Sequence, residues 1–289
     1  MPRVFLSGIA FVAAIFLSSS VSAQTLQPFK DDLFAYPATL SEEGGGRYKI
    51  VDYREARDID ARDDVPEKRV KAAYVSTGVR RYQKDLALKT DDGRRIRHFA
   101  VGSTEGARFI VLYLHGQGGS RRQGVDDFTF GGNFNRIKNL AVANGGLYLS
   151  PDFPDFGGGG VRDIASLIDY YAAKSPGAPI VVACGSMGGH ICWGLAGSAT
   201  GAKLTGLMLL GSLWDADFLK TEAFRRRIPV FFGHGSHDTV FAVDKQEAFY
   251  RSLGKTYPAR FVRFETGTHG TPIRMTDWRG VLNWILGGG

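Results

Sequence analysis

The spacing of apolar and polar residues changes several times along the chain, and each change marks an element. From Tyr82, YQKDLALKT alternates, DDG turns tightly through Gly93, and RRIRHFAV alternates again. A period of two on both sides of a glycine turn predicts an antiparallel hairpin. FIVLYLHG follows as an almost unbroken apolar run, the pattern of a strand buried on both faces. FNRIKNLAVANG has apolar residues at helical spacing and a glycine, Gly145, just beyond it, so it reads as a helix, with GLYLS as the next strand. The same alternation continues. VRDIASLIDYYAAKS, GHICWGLAGSA, DADFLKTEAFRRR, DKQEAFYRSLGK and DWRGVLNWIL read as helical, while PIVVACGS, LTGLMLLGS, IPVFFGHGS and ARFVRFETG read as strands, the last expected to close the sheet.

A hairpin followed by repeated strand–helix units argues for an α/β fold: an open, mostly parallel, twisted sheet with helices on both faces. Right-handed crossovers then bring the carboxyl ends of the strands, and the loops that follow them, to one edge. The domain is expected over 76–289. Residues 24–75 are weakly patterned, with a glycine run in SEEGGGRYK and a charged stretch in DYREARDIDARDDVPEKRVK, and read as an N-terminal extension that wraps the domain. Residues 1–23 differ from both. One arginine, the apolar run VFLSGIAFVAAIFL and the small-residue stretch ending at Val21-Ser22-Ala23 read as a cleaved secretory signal, with an uncleaved membrane anchor as the alternative, so the protein is expected to be exported, periplasmic or secreted, with no stable membrane span after cleavage.

Composition refines this picture in two ways. With 36 Lys and Arg against 29 Asp and Glu, the chain carries a formal net charge of +7. The basic residues are scattered rather than blocked, the densest patches, GVRRYQK and DGRRIRH, lie among acidic neighbours and read as solvated strand faces, and no nucleic-acid module is present, so no nucleic-acid partner is expected. The sequence does not indicate an oligomeric state. The two cysteines, Cys184 and Cys192, lie within and just after one short stretch. In an exported protein such a pair suits a disulfide, and it equally suits two small residues packed between a strand and a helix.

That stretch is ACGSMGGH, residues 183–190. It approaches the G-x-S-x-G turn that lifts a serine between a strand and a helix, with Gly188 in place and Cys184 where the first glycine would stand. A serine hydroxyl needs a base to take its proton, and the base needs an acid to orient it. Downstream, IPVFFGHGS runs into HDTVF and offers Asp238, and ARFVRFETG runs into THG and offers His269. Both fall in loops after strand carboxyl ends, in the order serine, acid, histidine.

On HGQGG, CGSMGG, GSHDTVF and THG, the sequence over approximately residues 80–286 resembles the α/β-hydrolase family, of the serine esterase or lipase type without a large cap. The resemblance implies that Ser186 is the nucleophile, His269 the general base and then acid, and Asp238 the group that orients it. It also implies an oxyanion hole made by the backbone N–H groups of Met187 and Gln117, with Gly118 the rival for the second, and no cofactor.

Other residues carry less chemistry. His115 reads as a brace of the HGQGG loop, and Asp244, the rival acid, as a helix cap for DKQEAF. His234 and His237 have an H-x-x-H spacing, but zinc needs a third ligand, so no metal is expected. GGGGVR, residues 157–162, lacks the lysine and hydroxyl residue of a phosphate loop. Trp214, just after LTGLMLLGS, is a candidate for the substrate pocket, with packing as its plainer role. The short connection between LMLLGS and IPVFF leaves no room for a large cap. An open cleft of this kind suits esters or acyl groups on bulky or polymeric molecules better than a small buried ligand, and the expected substrate is a small-molecule or polymer-linked carboxylic ester. A peptidase or an acyltransferase on the same fold, or a catalytically silent binding protein, are the alternatives; the filled serine, acid and histidine positions argue against the last.

Overall fold

The computed structural model describes residues 25–64 and 68–289; the expected signal, residues 1–23, lies outside the described residues. Ten strands form one sheet. The first two, β1 (Thr39–Glu43) and β2 (Tyr48–Asp52), precede a separate two-residue ladder of β3 (Asp63–Asp64) with β4 (Arg69–Val70). The alternating segments become β5 (Gln83–Lys89) and β6 (Arg95–Gly102), paired antiparallel as their period of two predicts. The apolar runs become β7 (Ile110–Leu114), β8 (Leu147–Pro151), β9 (Ile180–Gly185), β10 (Gly206–Leu210), β11 (Val230–Gly235) and β12 (Ala259–Glu265). Every residue of β7, β8, β9, β10 and β11 is buried, which is why these strands are apolar throughout rather than alternating.

The strand order is β1-β2-β12-β11-β10-β9-β7-β8-β6-β5. From β8 through β2 all neighbours are parallel, and antiparallel pairs flank them at both ends. Two features depart from expectation. ARFVRFE does not close the sheet, because β2 pairs with it in parallel and β1 follows. Nor is residue 76 a structural divide: the expected extension supplies two strands of the same sheet, and Val51 and Tyr53 join its core.

The short α1 (Asp31–Phe34) lies in that extension. On one face of the sheet, α2 (Asn133–Ala143) contributes Phe134, Ile137 and Leu140 to the core. α3 (Gly158–Lys174), α4 (Gly189–Gly197) and α6 (Val243–Ser252) cover the other face. The expected helical segment DADFLKTEAFRRR is a 3-10 turn over Ala216–Lys220 and the one-turn α5 (Glu222–Arg225). α7 (Thr271–Met275), with Pro272 in its first turn, and α8 (Trp278–Leu286) join α2 on the first face. No described helix is long and apolar enough to cross a membrane.

Candidate active site

The loops after β7, β9, β10, β11 and β12 meet at the carboxyl edge of the parallel strands. The β9 strand ends at Gly185, and Ser186 begins a turn of 3-10 helix that runs into α4. Ser186 has φ 52°, a left-handed conformation that is strained for a side-chain-bearing residue and turns its Oγ out of the strand. Close neighbours demand the glycines around it. A Cβ on Gly188 would lie 2.7 Å from the Leu114 carbonyl oxygen, and one on Gly116 would lie 2.7 Å from the Ser186 Cβ.

Cys184 tolerates the first glycine position because its side chain does not face that crowding. It is fully buried in the layer under α4 and is disulfide-bonded to Cys192 of that helix. The bridge spans the elbow, joining the strand before Ser186 to the helix after it. On the other side, the buried Ser212 hydroxyl, just beyond β10, donates to the Ser186 carbonyl oxygen at 2.7 Å.

The three side chains singled out in the sequence converge. His269 Nδ1 is 2.8 Å from Asp238 Oδ2, and His269 Nε2 is 2.8 Å from Ser186 Oγ. A carboxylate only accepts, so Nδ1 carries the proton and Nε2 accepts from the serine hydroxyl. Asp238 is buried, and its other oxygen accepts from the amides of Val240 at 2.8 Å and Phe241 at 2.9 Å. Burial alone would raise the carboxyl pKa, but hydrogen bonds from His269, Phe241 and Val240 outweigh it and hold the group below its ordinary range. It is therefore an anion at neutral pH, fixed beside the imidazole.

HGQGG turns back on itself through a Gly119 amide to Gly116 carbonyl bond of 3.1 Å, setting Gly116 against Ser186. Gln117, next to Gly116, is exposed, and its amide has no partner among the described residues; the same holds for Gly118. Met187 stands in the first helical turn, where N–H groups lack intrahelical acceptors. His115 is buried, stacks on Phe153 at 4.2 Å, and its ring packs under Gly119, so it supports the loop from below.

Among the described residues none of the remaining candidates hydrogen-bonds to Ser186 Oγ or to the His269 ring. Asp244 is exposed in the first turn of α6; Ala242, not Asp244, holds the cap position, so the carboxylate meets the helix dipole instead. Trp214 is half-buried and packs on the core, whereas Leu213 approaches the elbow helix: a Cβ on Gly189 would lie 3.3 Å from it. His237 is exposed, while His234 is buried, with Nε2 donating to the Phe241 carbonyl at 2.7 Å and lying 3.3 Å from Asp238 Oδ2. Among the described residues no group of three or more His, Cys, Asp or Glu side chains is placed to hold a metal ion. Sequence reasoning missed Ser212 and the role of His234. The position of Ser212 after a strand carboxyl end was the one available signal.

No family model and no curated protein matches the sequence. Solved structures do match. An α/β serine hydrolase homologue from Coxiella burnetii aligns at 16% identity and a TM-score of 0.53, covering 69% of this chain and 95% of its own. An esterase from Pyrococcus furiosus aligns at 17% identity and a TM-score of 0.51, covering 73% of this chain and 92% of its own. An α/β serine hydrolase without a lid from Xanthomonas campestris aligns at 16% identity and a TM-score of 0.50, covering 71% and 93%. At this identity the likeness concerns the fold: the chain has the α/β-hydrolase fold.

Proposed function

We propose that this protein is a serine hydrolase that cleaves carboxylic esters through an acyl-enzyme. The observation that carries the reading is the hydrogen-bonded series Ser186, His269, Asp238, with two contacts of 2.8 Å, built on a serine held at φ 52°. The steps follow from the atoms. His269 Nε2 takes the hydroxyl proton as Ser186 Oγ attacks the ester carbonyl carbon, and the Asp238 carboxylate stabilises the imidazolium so formed. The carbonyl electron pair moves onto oxygen, where the N–H groups of Met187 and Gln117 receive it. Collapse breaks the bond to the alkoxy group, which leaves as an alcohol with the proton from Nε2. Water then attacks the acyl-enzyme with the same histidine as base, releasing the acid and restoring the serine.

An exported enzyme, with residues 1–23 as its signal, is part of this reading, and the Cys184–Cys192 bridge suits an oxidising compartment. The substrate is an ester of a small or polymer-linked molecule. Hydrolysis of p-nitrophenyl acetate tests the assignment of the acid: Asp238→Asn should lose on the order of 10⁴ in kcat, as expected when the histidine tautomer is no longer fixed. Asp244→Asn should stay within about twofold, as an exposed first-turn carboxylate implies. The reverse order would overturn the choice of Asp238. Short-chain, long-chain, aryl and acetylated-sugar esters, compared by kcat/KM, identify the substrate class.

A further inference from the structure

We propose a second site: a phosphate-binding basin at the amino ends of β11 and β12, on the rim of the sheet opposite Ser186. The cavity there has a volume of about 660 Å³ and is lined by Arg47, Arg226, Arg227 and Arg260, with Trp284 at its wall. It lies before the first residue of β11, while Asp238 lies beyond the last. The six residues of that strand therefore separate the two sites by roughly 20 Å at the usual rise per residue.

Three properties point to an anion. First, none of the four guanidinium groups forms an ion pair among the described residues, although ion pairs are common elsewhere in the chain. An adjoining cavity of about 560 Å³ shares Arg47 and adds Arg251 and Lys255, with Glu43 as its one carboxylate. Six cationic side chains thus line the two cavities against one acidic side chain, Glu43, which is paired with Arg251, and the terminal carboxyl of Gly289 at the basin's edge. Like charges gathered in this way repel one another unless an anion joins them.

Second, the arginines are already held in place by uncharged partners. Arg47 donates to the Tyr257 carbonyl, Arg227 to that of Thr256, and Arg226 to that of Gly201 at 2.9 Å. These bonds orient each side chain without neutralising it, which reduces the entropy lost on binding and leaves N–H groups for oxyanion contacts. Third, Arg260 lies 4.7 Å from the centre of the Trp284 ring. Burial holds its pKa below the ordinary guanidinium value, so a charge acceptor beside it relieves a desolvation cost. The planar forks match a phosphate, whether free or carried by a lipid headgroup.

The test uses the full mature chain in two arms. Thermal melting is followed in sodium phosphate and sodium pyrophosphate against sodium chloride of equal ionic strength. Flotation is followed with vesicles of phosphatidylglycerol in phosphatidylcholine against phosphatidylcholine alone. A phosphate-specific rise in Tm identifies the free anion, and vesicle binding without it identifies the headgroup; either supports the site. In both cases R226Q/R227Q and R260Q should weaken binding at least tenfold. Arg95→Gln, exposed on β6 at the far side of the sheet, should bind as wild type, and ester hydrolysis should be unchanged in all of them. If R226Q/R227Q fails to fold, R260Q alone decides. Absence of an effect in both arms, or binding that the folded variants retain, would overturn the proposal.

Discussion

At the scale of single residues, Ser186 depends on contacts that no motif spells out. Its strained backbone is held by the Ser212 hydroxyl on one side and by Gly116 on the other, where no side chain fits. Gly116→Ala would force its new methyl group to within 2.7 Å of the Ser186 Cβ, so the loop carrying Gln117 must move. We expect kcat on p-nitrophenyl acetate to fall by about 10²–10³, the loss typical of a misplaced oxyanion donor. An unchanged kcat in folded protein would separate HGQGG from the chemistry. Ser186, Asp238 and His269 were legible in the sequence because each ends a predicted strand, and the order of the strands fixes which loops meet. Ser212 and His234 were not, because their partners, the Ser186 carbonyl and the Phe241 carbonyl, are contacts across loops that only the folded chain brings together.

At the scale of elements, the strongly patterned segments formed as read, and the weak ones did not. The apolar strands and the β5–β6 hairpin match their periodicities. β1 escaped notice because it is exposed along its whole length, and β2 because it is five residues long behind a glycine turn. α7 was hidden by its brevity, five residues directly after the histidine loop. The sequence also left the cysteine pair undecided, since eight positions of separation across a strand–helix turn suit packing and bonding alike. The bridge joins the two elements that form the elbow. Cys184→Ser/Cys192→Ser should lose about 2–3 kcal/mol by the loop-entropy argument for so short a loop, read as a lower urea midpoint. A midpoint equal to wild type would mean that packing alone holds β9 against α4.

At the scale of the whole molecule, the fold buries titratable groups whose protonation opposes folding. His98, His115 and His234 are each buried, and burial lowers all three pKa values from the ordinary histidine value. As pH falls below about 6.5, the unfolded chain takes up protons that the folded chain refuses. Stability from these groups is therefore complete above that pH and is lost as pH drops through the lower folded-state values. Tm should decline between pH 7 and pH 5, and with a smaller slope in His98→Gln, whatever its absolute Tm; an identical slope would remove His98 from the explanation. The α/β-hydrolase fold brings one acid, one histidine and one strained serine to a single edge, and ester cleavage there requires that serine to be reactive. The most direct test is a fluorophosphonate probe on the purified protein, with the labelled peptide located by mass spectrometry. One phosphonyl group per chain is expected, on Ser186, and none in Ser186→Ala. Labelling that persists in that variant, or wild-type protein that stays unlabelled, would contradict the assignment.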